Sequence, residues 1–362
     1  MARRKKPKQK FPRGKADEAE EEEDKGGWKA WVRDIAVAVI IMVVILGGIW
    51  AYTQVWPPLV VVESSSMQHG HTSSAVGVID TGDLVLVQTA PAPSDVVTYL
   101  EGRASGYTTY GDYGDVIIFR IYARPGATPI IHRAIMYVTP NGTDAADVPD
   151  LAALPRSQWQ GVDRLSRPTN SPYGLTSVWI REMGYNHDLN ITFDLAYFAS
   201  KMSVEPSSRR GTGYITMGDN NAYDQCQTKD PCNPGPYDKG WFPIQSDIIG
   251  HARGEIPWFG LIKLLLSPAP GGCCQSWGDS GAPRNSWDSL AISLVFLITL
   301  PFIVEGGAWA WSTYAWPWIK PRLRRGKEEA PPPKVEEAPE EAAEDEPHED
   351  GPDDLTGGSS GS

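Results

Sequence analysis

An uncharged apolar run of 18 residues, Ile35–Tyr52, constrains this chain more than any other feature. Crossing a bilayer as a helix takes roughly 20 residues. Trp28, Trp31 and Trp50 flank the run as interfacial aromatics do. An acidic block, Asp17–Asp24, precedes it and no small-x-small pattern follows. The run therefore reads as a retained anchor rather than a cleaved signal. Whatever follows closely must work near the membrane surface.

A second apolar run, Leu290–Trp311, contains Pro301 and Glu305. Glu305 stands near its inner end and reads as an interfacial acid reaching for water, not as a functional intramembrane group. Trp309, Trp311, Trp316 and Trp318 follow as an aromatic belt. Next come Lys320, Arg322, Arg324, Arg325 and Lys327, which belong on the cytoplasmic side, as do Lys29 and Arg33 before the first run. The expected plan is a disordered cytoplasmic tail (1–30), a transmembrane helix (31–54), an extracytoplasmic domain (56–268), a linker (269–288), a second transmembrane helix (289–312) and a cytoplasmic tail, basic then acidic (313–362). The tails carry much of the acid behind the net charge of −12, so that charge says little about the folded part. No nucleic-acid partner is expected, and lipid is.

All four cysteines, Cys226, Cys232, Cys273 and Cys274, fall in the outer segment, where disulfides persist. Cys226 and Cys232 bracket a tight loop and are expected to pair. Adjacent Cys273 and Cys274 can pair with each other only under strain, or with partners elsewhere.

Short β-branched runs broken by Gly and Asp fill the outer segment: Val60–Val62, Leu84–Val87, Val116–Phe119, Ile130–Ile135 and Tyr214–Met217. They predict a mainly β, antiparallel domain. Residues 140–210, rich in Pro, Ser and Asn, break the rhythm and read as an inserted cap with a helix near Leu195–Met202. Asn141 and Asn190 open glycosylation sequons. Pro257–Leu266 is apolar but too short to span a membrane. It suits either a final core strand or a segment lying on the bilayer.

Four separated segments carry the chemistry: Glu63-Ser64-Ser65-Ser66-Met67, Gly82-Asp83-Leu84-Val85, Ile131-His132-Arg133-Ala134 and Met217-Gly218-Asp219-Asn220-Asn221 with Asp224. Gly240-Trp241-Phe242-Pro243 and Asp247-Ile248-Ile249-Gly250 follow. In this order, behind a membrane anchor, they resemble type I signal peptidases of the archaeal and endoplasmic-reticulum branch. The resemblance covers roughly residues 35–265, with 140–210 unmatched. It implies a signal-peptidase-type β domain flanked by two transmembrane helices, and a serine endopeptidase that removes signal peptides from translocated preproteins. The implied setting is the plasma membrane, with both termini cytoplasmic and the translocation channel as a further partner.

The resemblance makes Ser66 the nucleophile, which needs a base to take its proton. His132 stands where that base belongs, because imidazole titrates near neutral pH. The orienting acid is Asp224 or Asp219, with Asp224 favoured. Relatives often carry an acid just after Asp224, where this chain has Gln225. The oxyanion hole would use the Ser66 N–H and the Ser64 hydroxyl. Val62, Met67, Ile130 and Ile131 would line shallow pockets for small side chains, beside an extended substrate. They also read as ordinary core.

His69-Gly70-His71, with His132 or His187, could in principle ligate a metal. No His-Glu-x-x-His helix accompanies them, so they read as loop histidines, and no metal or cofactor is expected.

Overall fold

The computed structural model describes residues 15–70, 72–233, 240–267, 273–317 and 319. The chain divides into two compact units, Met1–Phe296 and Leu297–Ser362.

The first unit opens with α1 (Lys15–Thr53). Its segment Trp31–Thr53 is long and apolar enough to cross a membrane, and its side chains are exposed along nearly its whole length. The helix starts well before the expected residue 31. Residues 15–30, expected to be disordered, are helical, in keeping with the helix propensity of Glu, Lys and Ala. After α1 come β1 (Leu59–Val61), β2 (Leu84–Gln88) and α2 (Tyr99–Ser105). A hairpin of β3 (Thr108–Thr109) and β4 (Asp112–Tyr113) precedes β5 (Val116–Phe119) and the long β6 (Ile130–Asn141). The next strands are β7 (Ala145–Asp147), β8 (Trp159–Asp163), β9 (Pro168–Thr169), β10 (Leu175–Met183) and β11 (Leu189–Asp194). Then follow α3 (Leu195–Val204), β12 (Gly213–Met217), α4 (Asp219–Cys226), β13 (Ile248–Ile256), α5 (Gly260–Leu266) and α6 (Arg284–Ala310).

Eleven strands join one sheet in the order β1-β2-β13-β5-β6-β7-β10-β8-β9, with β11 on β10 and β12 on β6. Each pairing between these strands is antiparallel, as the alternation and turn residues predict. β6 belongs to both halves. Its first part pairs with β5 and β12, and its last residues, Thr139–Asn141, pair with β7.

Residues 140–210 are therefore not a loose addition. They supply β7–β11 and α3 and build the larger core. Buried Val148, Trp159, Val178, Ile180, Phe193 and Phe198 pack there against Met136 and Val138 of β6 and Ile215 of β12. The helix expected near Leu195–Met202 is α3, with the Asp194 carboxylate accepting from the Tyr197 N–H at 2.8 Å as its N-cap. Sequence alone hid this core because Pro, Ser and Asn mark turns between strands of only two to nine residues. A smaller core under the other half holds Val62, Met67, Ile79, Val85, Val116 and Ile131.

Pro257–Leu266 does not form the core strand that was one of its two expectations. It folds into α5, whose Leu261 and Leu264 pack with Trp287 and Leu290 of α6. Gly82 of the Gly-Asp motif has φ +97°, and a side chain there would run into Leu261. Cys226 pairs with Cys232, and Cys273 with Cys274.

The second unit begins within α6. The segment Arg284–Ala315 is the second stretch apolar and long enough to span a membrane, and it includes Pro301. The basic cluster from Lys320 onward and the tails at 1–14 and 320–362 lie outside the described residues.

If residues 140–210 share one core with the rest, Phe198→Ala should cost about 3–5 kcal/mol. The β domain should still melt in a single transition. Two resolved transitions, with only one shifted, would show that the segment folds apart.

Candidate functional site

The serine segment leaves β1 and is held from several sides. The Val62 N–H donates to the Asp83 carbonyl, and the Val62 carbonyl accepts from the Gly82 N–H, both at 2.9 Å. Lys263 of α5 pairs with Glu63 at 2.5 Å. The buried Gln68 amide donates to Thr81 Oγ1 at 3.0 Å. Between these anchors, Ser64 is exposed and Ser66 half-buried, and the Ser64 hydroxyl donates to Ser66 Oγ at 3.3 Å.

His132 lies on β6 opposite Ile117 of β5 and is buried. Its neighbour across the site is Gly218, at the junction of β12 and α4. A Cβ added to Gly218 would collide with the Ser66 carbonyl oxygen and lie 3.0 Å from His132 Nε2. The next turn is closed by the Asn220 N–H, which donates to the Ser66 carbonyl at 2.9 Å. Ser66 and His132 thus converge on one backbone position that has no room for a side chain. Gly218 stands inside the Met217–Asn221 segment, where nothing local in the sequence gives it a role.

Asp219 is bonded differently from the expectation for an orienting acid. Arg133 Nε donates to its Oδ1 at 2.9 Å and Arg133 Nη2 to its Oδ2 at 2.6 Å. His69 Nε2 lies 2.9 Å from the same Oδ2. Burial pushes this carboxyl up, but the Arg133 guanidinium and the His69 bond outweigh it and hold it below its ordinary value. An ionised carboxylate only accepts, so His69 Nε2 is the donor. Asp224, the favoured candidate, lies one turn along α4 and is exposed, with Asn220 Nδ2 3.5 Å from its Oδ2.

Arg133 is buried beside His132. Its Nη1 also donates to the carbonyls of Thr109, Asp112, Tyr113 and Gly114 at 3.0–3.2 Å, around the β3–β4 hairpin. An arginine in an apolar strand is rarely buried without a paired acid, so the sequence did contain a pointer to the Arg133–Asp219 pair.

The four expected substrate-lining residues divide. Val62, Met67 and Ile131 are buried in one core, whereas half-buried Ile130 packs with Ile117, Phe119 and Tyr214 in another. Among the described residues, no group of three or more His, Cys, Asp or Glu is placed to hold a metal. His187 leans on Tyr113, with ring centroids 5.1 Å apart, and His71 lies outside the described residues.

The Gly-Asp motif has its own electrostatics. Asp83 accepts from the N–H groups of Trp258 and Asp80, both at 2.7 Å. Burial lifts its carboxyl from 3.8 to about 7, against those two bonds and with help from the nearby Asp80 and Glu255 carboxylates. Asp80 is lifted to about 6, again by burial first.

No protein-family profile, no curated protein and no solved structure matches this chain.

Two outcomes follow from this geometry. Gly218→Ala, whose Cβ would meet the Ser66 backbone carbonyl, should lower the melting temperature by forcing the Ser66 segment away from His132. A melting temperature unchanged in the variant would refute the convergence. The raised Asp83 carboxyl favours the folded state while neutral, so its contribution is complete below pH ~4 and fades as pH rises through about 7. The melting temperature should therefore fall between pH 5 and pH 8, and fall less in Asp83→Asn.

Proposed function

We propose that this protein is a membrane-anchored serine endopeptidase that removes signal peptides from preproteins. The observation that carries the reading is the meeting of Ser66 and His132 at Gly218. A short tether supports it: α1 ends at Thr53, and the serine segment follows directly after β1. An active serine held there meets a substrate where that substrate leaves its own membrane segment.

In this reading His132 Nε2 takes the Ser66 hydroxyl proton as Ser66 Oγ attacks the scissile carbonyl carbon. The carbonyl oxygen becomes an oxyanion, held by the Ser66 N–H and the Ser64 hydroxyl, which already points at Ser66 Oγ. The His132 proton then passes to the leaving amine. Water, deprotonated by His132, releases the acyl group and restores Ser66. β1 ends the sheet with β2 as its sheet neighbour, so its outer edge suits an extended peptide added as a further strand. Val62, Met67 and Ile131 give that strand an apolar floor, and Ile130 contributes from the adjoining core.

Asp219 acts here by fixing Arg133 and the start of α4, and Asp224 remains the candidate to orient His132. The setting is the plasma membrane, with both termini cytoplasmic. The partners are lipid, signal-peptide-bearing preproteins and the translocation channel. The second reading is a protease of the same kind dedicated to one surface protein. The large core built by residues 140–210, which the resemblance leaves unmatched, favours it.

Cleavage of a membrane-embedded preprotein tests the proposal. Ser66→Ala and His132→Ala should each lower kcat by at least about a thousandfold, with little change in melting temperature. Normal processing by both variants would remove the assignment. Cleavage of one surface protein but of no general preprotein would select the dedicated protease.

A further inference from the structure

His69 follows the nucleophile by three residues and had no assigned part in the chemistry. The structure encloses it. Its Nε2 donates to Asp219 Oδ2 at 2.9 Å. One ring face stacks on Tyr185, with centroids 3.9 Å apart and planes 9° from parallel. The ring edge also abuts the tip of the β3–β4 hairpin, where a Cβ on Gly111 would come 2.8 Å from His69 Cε1. A histidine that only decorated a loop would make none of these contacts.

Tyr185 comes from the turn between β10 and β11, inside the 140–210 segment, and that turn is itself pinned. The Asn186 N–H donates to the Tyr223 hydroxyl at 2.9 Å, and that hydroxyl donates to Asp188 Oδ1 at 2.6 Å. The Tyr185 and Tyr223 rings lie 4.3 Å apart. Tyr223 and Asp219 sit one helical turn apart on α4, on the same face. α4 therefore grips His69 twice, directly through Asp219 and indirectly through Tyr223 and Tyr185. The same helix begins at Gly218, where Ser66 and His132 meet.

We propose that His69 is a positioning residue for the Ser66 loop, and that Tyr185 makes the 140–210 segment a working part of the active site. The functional half of this inference rests on the assignment of Ser66 as nucleophile. The clasp clamps the chain on the far side of Ser66 from β1, so the serine is fixed at both ends. Losing it lets Ser66 drift from the position set by Gly218. Misplacement by about 1 Å can cost about a hundredfold in rate. The binding edge on β1 is untouched, so the loss falls on kcat and not on KM.

The test uses the full-length chain in lipid nanodiscs, with a membrane-embedded preprotein as substrate and amide hydrogen exchange as a second readout. His69→Ala and Tyr185→Ala should each lower kcat by about ten- to a hundredfold with KM within about twofold. Both should speed exchange in the peptide that follows Ser66. Tyr185→Phe keeps the ring and should behave as wild type in both readouts. Wild-type kcat and exchange in both alanine variants would overturn the proposal. So would equal damage from Tyr185→Phe and Tyr185→Ala, because the stack would then not be the cause. If the wild-type chain cleaves no preprotein, the endopeptidase reading fails, and the exchange rates alone decide whether the clasp holds the loop.

Discussion

The buried ion pair between Arg133 and Asp219 organises the site. Arg133 sits on β6 next to His132, and Asp219 opens α4 next to Gly218. Two hydrogen bonds between them, with four hairpin carbonyls closing around Nη1, set the spacing of three segments that are remote in sequence. Removing one partner of such a pair leaves a buried charge uncompensated, at a cost of about 3–5 kcal/mol. Both charges are satisfied here, so the pair fixes register, and its rigidity passes to the catalytic candidates on either side.

The second organising feature is β6. Its length lets one strand serve two halves of a sheet, with His132 and Arg133 in the first and Thr139–Asn141 in the second. The segment between residues 140 and 210 consequently shares a core with the strands that bear the site. Tyr185 then returns from that segment to the loop after Ser66. Its conformation and that of the serine loop are joined through α4, a helix of only eight residues.

Much of the fold was legible in the chain. The strands at Leu84, Val116, Ile130 and Tyr214 follow from β-branched runs between turn residues, and the pairing of Cys226 with Cys232 follows from their short loop. Local pattern failed where structure came from elsewhere. A short apolar run has no decisive period, so a core strand was as open for Pro257–Leu266 as a segment on the bilayer; the strand is excluded by α5, a helix packed on Trp287 and Leu290. The strands of residues 140–210 are hidden in sequence by connecting residues that occupy at least as much chain as the strands do. Residues 15–30 carry too little apolar sequence to predict order, although their composition favours helix.

At the candidate site the division has one cause. Sequence determined the residue types and their order: an apolar segment long enough to cross a membrane, a serine soon after it, a histidine on a strand, and acids after a Gly at a strand end. Those are local properties, written in composition and spacing. Tertiary structure decided the partners. It brought Ser66 and His132 to Gly218, bonded Asp219 to Arg133 and His69, left Asp224 exposed on α4, and set Tyr185 against His69. A carboxylate can serve any cation that folding brings within reach, so its partner is fixed only by the path of the chain in space.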